Sequence, residues 1–139
     1  MASTERHSRN RNVGPPTRTI EQALLNSGTA AVAGVDEAGR GSLAGPVVAA
    51  AVVLPRRGCP EGLDDSKRLD PARRLTLFHQ ILNTAISVGV HFVGPARIDE
   101  INILRASHEA MRGAVLSLSS LPEMALIDGL PLPHFPCPH

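Results

Sequence analysis

Residues 31–54, AVAGVDEAGRGSLAGPVVAAAVVL, constrain the fold more than any other stretch. Two apolar runs, residues 31–35 and 46–54, have the length and β-branched content of buried strands. Between them lie Asp36, Glu37, Ala38, Gly39, Arg40 and Gly41. Two acids therefore stand at the end of a strand, followed by a turn that glycines make with least strain. Side chains alternate faces along a strand, so Asp36 and Glu37 converge only if the chain bends between or just after them. The glycines supply such a bend and leave backbone N–H groups open to a ligand. Paired carboxylates beside a bare turn and an arginine suit divalent-metal and phosphate chemistry. A solvated acidic turn between two strands fits the bare pattern equally well.

The rest of the chain supplies partners for this hairpin. Thr19 and Gln22 resemble a capping box and Gly28 a stop, around a short helix over residues 20–27. A loop over residues 55–67 brings Arg56, Arg57, Lys67 and the adjacent Arg68. Asp70 and Pro71 form an N-cap and first-turn signal. Leu75, Phe78, Leu82 and Ala85 then recur at helical spacing, which predicts a helix over residues 71–83 with Arg73 and Arg74 off its apolar stripe. Ile86, Val88, Val90 and Phe92 alternate with Ser87, Gly89 and His91, the pattern of a half-buried strand that Gly94 and Pro95 end. Ile101, Leu104, His108, Met111, Val115 and Leu118 predict one helix over residues 99–119. His108 falls on that stripe and reads as a packed core or rim histidine, since nothing beside it suggests a ligand set. Pro122 breaks the helix, and residues 124–127 read as a short strand, buried on both faces, that ends in Asp128.

This order makes the last strand a right-handed crossover partner, parallel to a strand already in the sheet. Sites in open α/β sheets form beyond the C-terminal ends of strands. Asp128 ends its strand as Asp36 ends the first, so parallel neighbours would set the two acids side by side. The expected class is α/β: antiparallel first strands, a later strand parallel to the first, and flanking helices.

Residues 36–41 (DEAGRG), 64–69 (DDSKRL), 100–104 (EINIL) and 126–129 (LIDG) together resemble ribonuclease HII, the type 2 ribonuclease H of bacteria, in order and at family-like spacing. The resemblance runs from about residue 31 to the last residue. It implies the ribonuclease H fold over residues 19–139. It also implies an endonuclease that hydrolyses the RNA strand of RNA–DNA hybrids, single embedded ribonucleotides included, and leaves 5′-phosphate ends. Two Mg²⁺ or Mn²⁺ ions about 4 Å apart serve such chemistry. By the resemblance Asp36 bridges both ions, Asp128 holds one, and Glu37 completes the shell. Gly39, Arg40 and Gly41 would read the ribonucleotide, backbone groups contacting its 2′-hydroxyl. The turn suits that role, because glycines permit close approach and Arg40 can fork onto a phosphate. Lys67 and Arg68 are further candidates for phosphate contacts, although a solvated loop face fits them as well.

Where the family places a fourth acid, one loop and one strand after Asp128, this sequence has none. The prolines at 131, 133, 136 and 138 predict an extended tail without helix or strand. The expectation is therefore an incomplete domain, with the edge of its last strand exposed. A catalytically impaired fragment that binds nucleic acid is the alternative. His134, Cys137 and His139 are possible zinc ligands that lack an obvious fourth.

Composition narrows the rest. The formal net charge is +1, so nucleic-acid affinity must come from local clusters. Aromatic residues are 2 % of the chain, too few for base-stacking platforms. Residues 1–18 are basic and too polar to bury a core, and read as a disordered arm able to add loose phosphate attraction. Cys59 and Cys137 read as free thiols in a reducing compartment. Neither a long apolar run nor a signal-peptide pattern is present, so the expected setting is the cytoplasm, away from membranes and with no obligate protein partner.

Overall fold

The computed structural model of the chain describes residues 14, 16–129 and 131–139. The expected basic arm lies outside the described residues as far as residue 13. Strand β1 (Val32–Ala38) and strand β2 (Val47–Val53) form the hairpin, antiparallel from Ala33↔Val53 to Ala38↔Val48. Strand β3 (Ser87–Val93) pairs antiparallel with β2, and strand β4 (Met124–Ile127) pairs parallel with β1, giving the order β3-β2-β1-β4. The mixed sheet and the parallel return are those expected. The strands are rich in valine and alanine, which pack well on a pleated surface covered by a helix.

That helix is α4 (Ile103–Leu116), and it departs from expectation at its start. A separate helix, α3 (Pro95–Ile101), precedes it, where one helix over residues 99–119 was predicted. Asn102 makes the break. It adopts φ 70° and its side chain accepts from the backbone N of Arg105 at 3.1 Å. Asparagine tolerates this left-handed conformation and caps helices well, so one residue ends α3 and starts α4. The buried stripe of α4 is also shifted from the predicted one. Ala106, Ser107, Ala110, Met111, Ala114 and Val115 are buried, whereas Leu104 is 48 % exposed and His108 lies at the margin.

Small residues set how closely α4 approaches the sheet. At Gly89 on β3 a Cβ would collide with the Ala114 carbonyl oxygen. This contact inverts the expected facing of β3. Gly89 and Val93 are buried beneath α4, while Val90 and Phe92 are 55 % and 69 % exposed on the open side of the sheet. Alternation located the strand, but the fit of the helix decided which face it covers.

Helix α2 (Pro71–Thr84) has Asp70 as its N-cap, its carboxylate accepting from Arg73 N at 2.7 Å. Only Leu77 of this helix is buried, and Leu75, Phe78 and Leu82 of the predicted stripe are about half exposed. Helix α1 (Thr19–Asn26) follows Arg18, which caps it without a side-chain bond. The capping box is absent: Thr19 Oγ1 donates to Thr17 Oγ1, and Arg18 Nε instead donates to Glu21 Oε2 at 2.7 Å.

The tail has no helix or strand among its described residues, yet it does not leave β4 bare. Ala125 N donates to Pro138 O at 2.9 Å, and Leu132, Phe135 and Cys137 pack against the core. Among the β4 residues only Ala125 is fully buried, so the strand is covered less than expected on its faces and more than expected at its edge. Among the described residues no helix is long and apolar enough to cross a membrane.

Candidate active site

Register places the acids. Val35 on β1 stands beside Ile127 on β4, so the next residues, Asp36 and Asp128, are neighbours where the parallel strands run out. Parallel strands lie about 4.8 Å apart, so two such carboxylates are within reach of one cation. Facing follows from burial. Ala33, Val35, Ala125 and Ile127 contribute to the core beneath α4, so alternation sends Gly34, Asp36 and Leu126 to the open face. Asp36 is exposed, and its Oδ1 accepts from Glu37 N at 2.9 Å. Asp128 is exposed as well. Neither acid has an ion-pair partner among the described residues.

Glu37 does not join them. The predicted strand ended at Val35, but β1 continues through Ala38, still paired with β2. Glu37 therefore points to the α4 side, where its Oε1 lies 3.6 Å from Arg40 Nη1. The bend comes only afterwards, at residues 39–42, which Ser42 N closes by donating to Gly39 O at 3.2 Å. Accordingly, no group of three or more His, Cys, Asp or Glu side chains is drawn together for a metal among the described residues.

The two glycines of the turn differ. Gly39 has φ +91°, and a Cβ on it would collide with the Pro46 carbonyl oxygen. Gly41 needs neither a positive φ nor the missing side chain, because a Cβ there meets nothing within 4 Å. The fold itself thus requires glycine at 39 and leaves open space at 41. Arg40, between them, is half exposed. Lys67 is exposed in the loop before α2, its backbone N donating to Asp65 Oδ1 at 2.9 Å. Neighbouring Arg68 reaches Asp64 Oδ1 at 3.3 Å.

Three features escaped the sequence reading. His108 packs at the margin of α4, as the rim reading had it, but its charged surroundings were missed: burial first, then Arg40 and Arg112, hold its pKa below the ordinary value. The spacing of Arg105, His108 and Arg112 carried that signal, hidden by the assignment of His108 to the apolar stripe. Arg73 and Arg74 staple the loop ahead of their helix, Arg73 Nη2 donating to Glu61 O at 2.7 Å and Arg74 Nη1 to Leu69 O at 2.6 Å. Among the suggested zinc ligands, His139 Nε2 instead accepts from Leu132 N at 2.9 Å, and burial pushes the Cys137 thiol pKa up.

Comparison with known proteins bears on this arrangement. The ribonuclease HII family profile matches residues 33–136. Ribonuclease HII of Geobacillus thermodenitrificans is 53 % identical over 113 residues, covering 81 % of this chain and 44 % of that protein. Ribonuclease HII of Brucella canis is 52 % identical over 124 residues, covering 88 % and 56 %. The chain thus spans about half the length of these curated relatives. Among solved structures, ribonuclease H2 from Pyrococcus horikoshii superposes with a TM-score of 0.61 at 34 % identity, over 73 % of this chain and 52 % of that one. The enzyme in a PCNA:RNase HII complex from Archaeoglobus fulgidus gives 0.59 at 31 %, with the same coverage.

Proposed function

Since the chain belongs to the ribonuclease HII family, we propose that it serves as an endonuclease on the RNA strand of RNA–DNA hybrids, embedded single ribonucleotides included. Cleavage leaves 5′-phosphate ends and uses Mg²⁺ or Mn²⁺. The observation that carries this reading is the register that sets Asp36 beside Asp128. Both are exposed and without a cationic partner among the described residues, a donor set that suits a hard divalent ion. Asp36 and Asp128 would hold the ion. Bound divalent ions supply an activated water and neutralise charge on the leaving oxygen.

The chain's own groups position the substrate. Arg40 is exposed enough to turn from Glu37 to a phosphate, since an exposed ion pair of this kind contributes only about 0–1 kcal/mol. The open space at Gly41 lets a sugar approach the backbone, whose polar groups would read the 2′-hydroxyl. Lys67 would add a phosphate contact from the neighbouring loop. The cytoplasm suits the two free thiols, Cys59 and Cys137.

A second reading, nucleic-acid binding without cleavage, is favoured by one observation: Glu37 faces away from the aspartate pair. The test is a duplex carrying one embedded ribonucleotide, incubated with the chain and Mg²⁺ or Mn²⁺, beside calorimetric titration of the metal alone. The nuclease reading expects cleavage and metal binding, both lost in Asp36→Asn and in Asp128→Asn. Metal affinity and cleavage that survive Asp128→Asn would overturn the site. Duplex binding without any cleavage would establish the second reading.

A further inference from the structure

The face of α4 turned away from the sheet carries Arg105, His108, Glu109 and Arg112, at three-, four- and seven-residue steps that align them in one stripe. A hollow of about 290 Å³ runs along it, lined by Arg97, Arg105, His108, Glu109 and Arg112, with Pro133 of the tail on the far side. A second hollow of about 470 Å³ shares Glu109 and Arg112 and continues past His134 and Pro136. Together they form a groove between α4 and the tail.

Its charge is not balanced from within. Glu109 is the acid lining the first hollow, and it is committed to Arg97, whose Nη2 lies 3.2 Å from its Oε2. The Arg105 and Arg112 guanidinium groups have no hydrogen bond or ion pair among the described residues. Arg40, in the turn after β1, acts on His108 together with Arg112. From Arg105 to Arg112 the helix rises about 10 Å.

We propose that this groove, on the α4 side of the sheet, is a track for nucleic-acid backbone phosphates, held by Arg105 and Arg112. The inference deepens the reading of the chain as a protein of RNA–DNA hybrids and rests on it. An elongated, uncompensated row of arginines suits a polyanion strand better than a single small anion.

The test is fluorescence anisotropy of a labelled RNA–DNA hybrid and a matching DNA duplex, with EDTA present and salt varied. Neutralised phosphates set the salt dependence, with a slope near −0.9 per contact on B-form DNA. Arg105→Gln and Arg112→Gln should each weaken binding to both duplexes and reduce the slope by about 1, and the double variant by about 2. Arg105→Lys should keep the slope. Circular dichroism confirms that the variants fold. A double variant that matches wild type in affinity and slope overturns the track, as does an Arg105→Lys slope that drops like Arg105→Gln. Failure here with intact cleavage of embedded ribonucleotides leaves the nuclease reading standing. Arginine-dependent binding without cleavage removes the nuclease reading and leaves the track.

Discussion

Replacing each glycine of the turn with alanine separates what the fold needs from what the site needs. In Gly39→Ala the new Cβ must enter space held by the Pro46 carbonyl oxygen, at a residue with φ +91°. A positive φ costs an L-residue about 1–2 kcal/mol. Forcing a backbone group aside adds about 1–3 kcal/mol, as overpacking does. The expected destabilisation is thus about 2–5 kcal/mol. With a urea slope of about 1–3 kcal/mol/M, the midpoint falls by about 0.7 M or more. In Gly41→Ala the Cβ meets nothing and φ is not positive. Its stability should stay near wild type or rise by about 0.4–1 kcal/mol, from lost freedom in the unfolded chain. Its affinity for a ribonucleotide-containing duplex should fall, because the methyl occupies the approach to the turn. Urea denaturation followed by circular dichroism reads stability, and anisotropy reads binding. A Gly39→Ala midpoint within error of wild type would refute the close approach at Pro46. Unchanged duplex affinity in Gly41→Ala would refute the role given to the open space.

Other expectations follow from single contacts. Asn102→Ala removes the cap of α4 at a residue with φ 70°, and should cost about 0.5–2 kcal/mol, with Asn102→Gly costing less; thermal denaturation checks the order. The native pKa of His108 lies below its ordinary 6.5, so between the two values the unfolded chain binds more protons. Stability should fall as pH drops below about 6.5 and level off under the native pKa, and His108→Gln should remove that limb from a series of urea midpoints. Arg40→Ala should weaken duplex binding by about 1.5–3 kcal/mol while the preference for ribonucleotide-containing strands survives; loss of preference at unchanged affinity would reverse the division of labour between Arg40 and the turn backbone.

The elements were legible because they rest on local chemistry. Asp70 and Pro71 start α2 where the cap and the proline ring dictate, and valine runs make β1 and β2. The neighbourhood of Asp36 and Asp128 was legible too, since a crossover returning parallel to β1 leaves few choices. Facing was not. Whether Gly89 or Val90 turns to the helix depends on how near α4 lies, which rests on alanines far away in sequence. Glu37 was misplaced for a related reason: the end of β1 is set by pairing with Val48 and its neighbours, not by the polarity of residue 36. The break at Asn102 had a signal, an asparagine before an apolar run, but unbroken periodicity on both sides concealed it.

The pairing of β4 with β1 also implies an order of assembly. Ala30 and Glu123, which hydrogen-bond at the start of that pairing, are 93 residues apart in sequence. The β1–β2 hairpin closes over a short connection, whereas β4 must wait for everything between. Closing a longer loop costs more chain entropy, and distant parallel pairings form late. Asp36 is therefore in place long before Asp128 arrives beside it. The same asymmetry operates in reverse. A four-residue strand is the natural first element to detach, so hydrogen exchange at Ala125 and Leu126 should outpace that at Val35 and Ala51. The carboxylate pair would then come apart through partial opening while the rest of the sheet stays folded, and a cation bound between the two acids would act as the latch on β4.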